Sequence, residues 1–109
     1  MIVLLMEINQ KVRDSELITA CREINKKLGI SNRIEALMYE PLTEAEREYM
    51  LLYFEMYRNL TLLFGDDKVI INWLTSYNRS LNGYPLNLIL STSSLRIVND
   101  FLALSSTRD

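Results

Sequence analysis

Histidine is absent from the 109 residues of this chain. With it go Ser-His-Asp triads, imidazole acid/base catalysis and histidine metal sites. Cys21 is the only cysteine, so neither an internal disulfide nor a cysteine-built zinc cage can form within one chain, and a reducing cytoplasm is the expected setting. The three glycines, at 29, 65 and 83, stand far apart and build no glycine-rich phosphate loop. Proline occurs only at 41 and 85. No long hydrophobic run is present either: Ile2 to Met6 is apolar, but Glu7 ends it well short of the roughly 20 residues that span a bilayer. No basic segment precedes that run, and neither a secretion signal nor a membrane span is expected.

Charge of one sign is also lacking. Twelve Lys and Arg stand against 14 Asp and Glu, for a net charge of −2, which argues against a dedicated nucleic-acid binder judged on the whole chain. The distribution says more than the total. Residues 1 to 38 carry six basic groups against five acids, while residues 39 to 68 carry three against seven. Affinity for phosphate would reside in the first third and an acidic face in the middle. A hydrophobic content of 49% is ordinary for a globular protein, and the length allows one domain with a modest core.

Met1 to Ile8 is compatible with a short strand, an arm on a partner subunit, or a disordered start. From Ser15, read as an N-cap, the residues Leu17, Ile18, Cys21, Ile24 and Leu28 fall on one helical stripe, and Gly29 is placed to end the helix in the left-handed conformation. Cys21 lies between Ile18 and Ile24 on that stripe and reads as a buried small hydrophobe. Ser31 then stands as the cap of a second helix carrying Ile34, Leu37 and Met38, which Pro41 stops. Two readings of this region remain. One is a helix-turn-helix, with Ser31 to Glu35, including Asn32 and Arg33, over the major groove and Arg22, Lys26 and Lys27 over phosphates. The other is a helical hairpin packed on the rest of the chain or on a second subunit. Asn25 stands against the first, because the turn motif wants a small residue four positions before its glycine.

Thr43-x-x-Glu46 is a capping box, and Glu44, Glu46 and Glu48 favour the positive end of a helix dipole. With nothing to interrupt it before Gly65, the helix runs 21 to 22 residues, about 32 Å. Tyr49, Tyr53, Met56 or Tyr57, Leu60, and Leu63 or Phe64 form one face. Met50, Leu51, Phe54 and Leu62 spread apolar surface beyond it, so the N-terminal third or another chain has to cover a second side. The three tyrosines suit a face with one wet edge.

Asp66 is a good N-cap for a short helix on which Val69, Ile70, Trp73, Leu74 and Tyr77 form one apolar face, and this turns Trp73 inward. The pair Asp66-Asp67 reads as helix-start caps rather than a metal or acid/base site. Asn78 to Gly83 is a polar break in which Asn82-Gly83 supplies a turn, with a positive φ expected at Gly83. Pro85 suits the first position of the next helix. After the Ser91 to Ser94 cluster, Leu95, Val98 and Leu102, with Ile97, Phe101 and Leu104, restart a helical period.

Trp73-Leu74, Asn78, Leu81, Gly83, Pro85-Leu86, Ile89-Leu90, Thr92 and Val98 to Leu102 resemble the toxin-binding domain of antitoxins in the Xre/MbcA/ParS family. Leu42-Thr43-Glu44-Ala45-Glu46-Arg47 and Leu63-Phe64-Gly65-Asp66 resemble the helix start and "FGD" junction that precede the tryptophan there, so the likeness runs from about Leu42 to Leu104. It implies residues 1–41 as an N-terminal helical region, often helix-turn-helix-like in that family, and residues 42–109 as the toxin-binding domain. The partner implied is a RES-domain toxin that consumes NAD, whose active-site entrance the antitoxin obstructs. Contacts are then expected from groups that the helical pattern leaves outside: Asn78, Arg79, Asn82, Tyr84, Arg96, Asn99 and Arg108.

The expectation is therefore an all-α, single-domain protein with one long central helix and a C-terminal cluster of short helices. It is expected to work by binding, as a homodimer, without a cofactor or a metal, and not as an enzyme. The rival reading is a stand-alone transcription regulator whose C-terminal unit dimerises, with DNA as its partner.

Overall fold

Cys21, Met50, Tyr53, Met56, Leu60, Ile70, Leu95 and Val98 come from four different helices and meet in one core from which water is wholly excluded. The computed structural model describes residues 13–31 and 41–106. Among these it is all-α: α1 (Asp14–Leu28), α2 (Glu44–Phe64), α3 (Asp67–Thr75), α4 (Pro85–Leu88) and α5 (Thr92–Ser106). The second helix expected between Ser31 and Pro41, the N-terminal segment Met1 to Ile8 and the last residues of the tail lie outside the described residues.

The central helix forms where its sequence starts and stops it. Thr43 accepts from the Glu46 amide and Glu46 accepts from the Thr43 amide, a reciprocal cap on two N–H groups that the helix itself cannot satisfy. Gly65, at φ 72°, closes the other end with its amide on the Thr61 carbonyl. Between these ends, Tyr49, Met50, Tyr53, Met56 and Leu60 are buried, while Phe54 and Leu62 remain in water.

α1 covers the second side of α2. Leu17, Ile18, Cys21, Ile24 and Leu28 are its buried stripe, and Gly29 ends it at φ 67°. Its beginning departs from expectation. Arg13, not Ser15, is the N-cap, and Ser15 lies inside the first turn, where its carbonyl accepts from the Thr19 hydroxyl. The group that fixes this end is Asp14, whose carboxylate accepts from the Leu42 amide at 2.9 Å and pairs with Arg47. A contact 28 residues away therefore decides the start of α1.

α5 lies parallel to α2, since Arg96 pairs with Glu48 near the start of both helices and Asn99 donates to the Leu52 carbonyl further along. The short elements α3 and α4 return the chain from the end of α2 to its beginning, where Tyr49 donates its hydroxyl proton to the Ile89 carbonyl. Asp66 caps α3 through the Lys68 amide at 2.9 Å. Its neighbour Asp67 accepts instead from the Tyr57 hydroxyl at 2.8 Å, so each carboxylate has a structural task. The apolar face of α3 is narrower than its spacing suggests: Ile70 and Leu74 are buried, Val69 and Tyr77 are exposed, and Trp73 is half-buried between Phe64 and Phe101. Ser91 caps α5, accepting the Ser94 amide on its hydroxyl oxygen. No helix among the described residues is long and apolar enough to cross a membrane.

Candidate partner-binding site

The segment between α3 and α4 is a closed turn held by its own ends. Asn78 and Gly83 exchange two backbone hydrogen bonds, at 2.8 and 3.2 Å, and the Asn78 side chain accepts the Leu81 amide at 3.0 Å. Asn82 donates its amide to the Arg79 carbonyl at 3.2 Å, which tightens the tip. The left-handed residue is Asn82, at φ 54°; the positive φ expected at Gly83 does not occur. Asparagine enters this region at modest cost because its short polar side chain is satisfied locally, here by accepting the Tyr77 hydroxyl at 2.9 Å. Gly83 takes an ordinary φ, and a Cβ placed there would meet only the Leu88 side chain, at 3.7 Å or more.

This turn gathers four of the residues expected to contact a partner. Asn78 is half-buried and structural in its hydrogen bonding, whereas Arg79 and Asn82 stand in water at the tip. Tyr84 is 48% exposed and meets Tyr77 edge to face, with ring centroids 5.5 Å apart, so two tyrosines brace the base of the turn. The result is a short polar projection on an aromatic footing, with one cation at its tip.

The remaining expected contacts divide. Arg96 is exposed on α5 and paired with Glu48, which makes it part of the α2–α5 edge rather than of the turn. Asn99 was expected outside and is buried: its amide nitrogen donates to the Leu52 carbonyl at 3.0 Å, and its oxygen accepts from Asn59. A polar residue on the inward side of a helix must find such partners, and only the long-range packing of α5 on α2 supplies them. Arg108 lies outside the described residues.

Of the residues expected over DNA, Lys26 is exposed at the end of α1, and Lys27 sits 5.9 Å from the centroid of the Tyr57 ring, a cation–π distance. Arg22 is half-buried, Ser31 is exposed, and Asn32 and Arg33 lie outside the described residues. Asn25, the residue that breaks the helix-turn-helix pattern, is buried and accepts the Tyr53 hydroxyl proton, so its polarity serves the contact between α1 and α2.

One feature has no counterpart in the linear pattern. The end of α1, one side of α3 and the length of α4 enclose an open cleft of about 310 Å³ floored by Leu28, Ile71, Leu74 and Ile89, with Leu90 at its mouth. The wall from the end of α1 lies 40 residues or more from the other walls in the chain, so no spacing rule could have indicated the cleft. Cys21 offers no nucleophile: burial pushes its thiol up to about 12, and the sulfur lies against the Met50 carbonyl. Comparison with family models, curated proteins and solved structures finds no match to this chain.

Proposed function

We propose that this chain is an antitoxin that binds and neutralises a cognate toxin, a RES-domain protein that consumes NAD, by obstructing its active site. The observation that carries the reading is the turn Asn78 to Gly83: a self-closed projection with Arg79 at its tip, braced by Tyr77 and Tyr84. Such a turn loses little conformational freedom on binding, and its arginine can reach a carboxylate bidentately in a pocket built for an anionic cofactor. The residue pattern that resembles the Xre/MbcA/ParS toxin-binding domain supports the same assignment. Inhibition by occupation needs no chemistry from the inhibitor, which suits a sequence without histidine.

The test is to express the chain with the product of the reading frame next to its gene, purify the pair, and measure NAD consumption with and without it. A stable complex with suppressed NAD consumption is expected. A neighbour that neither binds nor consumes NAD overturns the reading. The rival, a transcription regulator, draws on Lys26 and Lys27 in the last turn of α1. It predicts binding to the upstream DNA that weakens steeply with salt.

A further inference from the structure

No asparagine in the chain except Asn82 precedes a glycine, and Asn82 stands in water at the tip of the turn. The carbonyl carbon of an asparagine side chain lies within reach of the next residue's backbone nitrogen, through closure of a five-membered ring, and a glycine there puts no side chain in the way. Glycine at 83 answers no demand of the fold. Its φ is ordinary, and a Cβ there would meet only the Leu88 side chain, at 3.7 Å or more. What the missing side chain leaves open is the nitrogen beside the Asn82 amide.

Two native contacts restrain the groups that would react. The Asn82 side-chain oxygen accepts from the Tyr77 hydroxyl at 2.9 Å, and the Gly83 amide donates to the Asn78 carbonyl at 3.2 Å. Both belong to a surface turn, where such bonds open at small cost. We propose that Asn82 is a site of spontaneous modification, at which the turn converts its own side-chain amide into a carboxylate at a rate that Tyr77 restrains. The Gly83 nitrogen gives its proton to solvent and bonds to the Asn82 side-chain carbonyl carbon. The bond from that carbon to the side-chain nitrogen breaks, and the nitrogen takes up a proton and leaves as ammonia. Water then opens the cyclic imide at either carbonyl, giving aspartate, or isoaspartate with one extra carbon in the main chain. Either product sets a negative charge beside Arg79, the only charged side chain between Lys68 and Arg96. Isoaspartate also lengthens a loop that two Asn78–Gly83 hydrogen bonds close. The turn therefore has a limited chemical lifetime, and this chemistry does not rest on the antitoxin reading.

The test is to incubate the folded full chain in mildly alkaline buffer and follow its peptides by mass spectrometry, with an isoaspartate-specific methylation assay for the second product. The wild type should gain a carboxylate at position 82 before any other asparagine converts. The rate should rise with pH, because the attacking nitrogen has to lose a proton. Gly83→Ala should slow the conversion by about tenfold or more, a small rise in barrier for a methyl group placed next to that nitrogen. With an ordinary φ at this position its fold should match the wild type, so a slower rate reports on the chemistry. Tyr77→Phe should speed the conversion by about fivefold, the effect of removing one hydrogen bond that restrains the amide. A folded wild type that keeps its Asn82 amide while the denatured chain loses it, conversion of another asparagine first, or an equal rate in the wild type and either variant each overturns the proposal.

Discussion

Tyr53 of the central helix donates its hydroxyl proton to the side-chain oxygen of Asn25 in α1, and both residues are buried. A buried polar pair between the two helices, away from the Asp14–Arg47 ion pair at their ends, fixes the register of α1 on α2, because sliding either helix by a turn would bury its polar groups without this partner.

Tyr53→Phe should therefore lower stability by about 1 to 2 kcal/mol, the usual cost of removing one member of a buried hydrogen bond. Asn25→Ala should cost a similar amount. In a double-mutant cycle on chemical denaturation, the two losses should couple by about 1 kcal/mol rather than add, and strict additivity would mean that the two groups do not interact in solution.

The tryptophan is the next test of the packing. Trp73 lies between Phe64, tilted at 41° and 6.3 Å away, and Phe101, stacked at 6.5 Å, and is half-buried. Trp73→Ala should lower stability by about 3 kcal/mol, the low end for an aromatic cut to alanine, because part of the ring already meets water. Trp73→Phe should recover most of that loss in the same thermal melt. An unchanged melting temperature in the alanine variant would mean that the stack carries no stability.

What was legible in the linear order is what local chemistry decides. Thr43 with Glu46, Gly29, Gly65, Asp66 and Pro85 mark helix ends because each acts on backbone groups within a few residues of itself. The misplaced features depend on distant partners. Ser15 has the chemistry of a cap, but Asp14 is drawn to Leu42 and Arg47, and the helix starts two residues earlier. Asn99 follows the buried Val98 in a helical period that gives no sign of the Leu52 carbonyl waiting for it. The turn was placed correctly and its strained residue was not, since Asn and Gly both favour left-handed backbone and only the closed loop selects between them.

That selection can be measured. Asn82→Gly should be nearly neutral, because relief of φ strain offsets the lost hydrogen bond from Tyr77. Asn82→Ala should cost about 1 to 2 kcal/mol, since alanine pays the full left-handed penalty and accepts nothing from the tyrosine. Gly83→Ala should fall within about 0.5 kcal/mol of the wild type, with an ordinary φ and only the Leu88 side chain near its new methyl group. The opposite order, with Gly83→Ala the most damaging, would place the strain at Gly83.

High pH should weaken the fold through Cys21. Burial raises its thiol from an ordinary value of 9.0 to about 12, so between those values the unfolded chain loses a proton that the folded chain keeps. The folded state then binds more protons, and stability falls as pH rises through this window, by up to roughly 1.4 kcal/mol per pH unit. Tyr57, raised by burial and then by its hydrogen bond to Asp67, acts in the same direction. Replacing Cys21 with alanine should flatten the decline measured between pH 9 and 12 while lowering stability at neutral pH. An equal slope in both proteins would show that the thiol is not protected by folding.

The proposed neutralisation is best tested at Arg79. Arg96→Glu is an ambiguous probe, because Arg96 is paired with Glu48 and the substitution puts two acids against each other on the α2–α5 edge. Arg79 carries no such complication: it stands exposed at the tip of a turn whose closure depends on Asn78, Asn82 and Gly83, not on its own side chain. Arg79→Glu should leave helical content and melting temperature unchanged. If the turn enters the mouth of the toxin's active site, the same variant should weaken inhibition of NAD consumption at least tenfold, since reversing a charge at a complementary contact is costlier than deleting it. Arg79→Lys should inhibit better than Arg79→Glu and worse than wild type, because a lysine keeps the charge and loses the bidentate fork. Equal inhibition by all three proteins would remove the turn as the inhibitory element and shift the search to the Arg96 edge of α5.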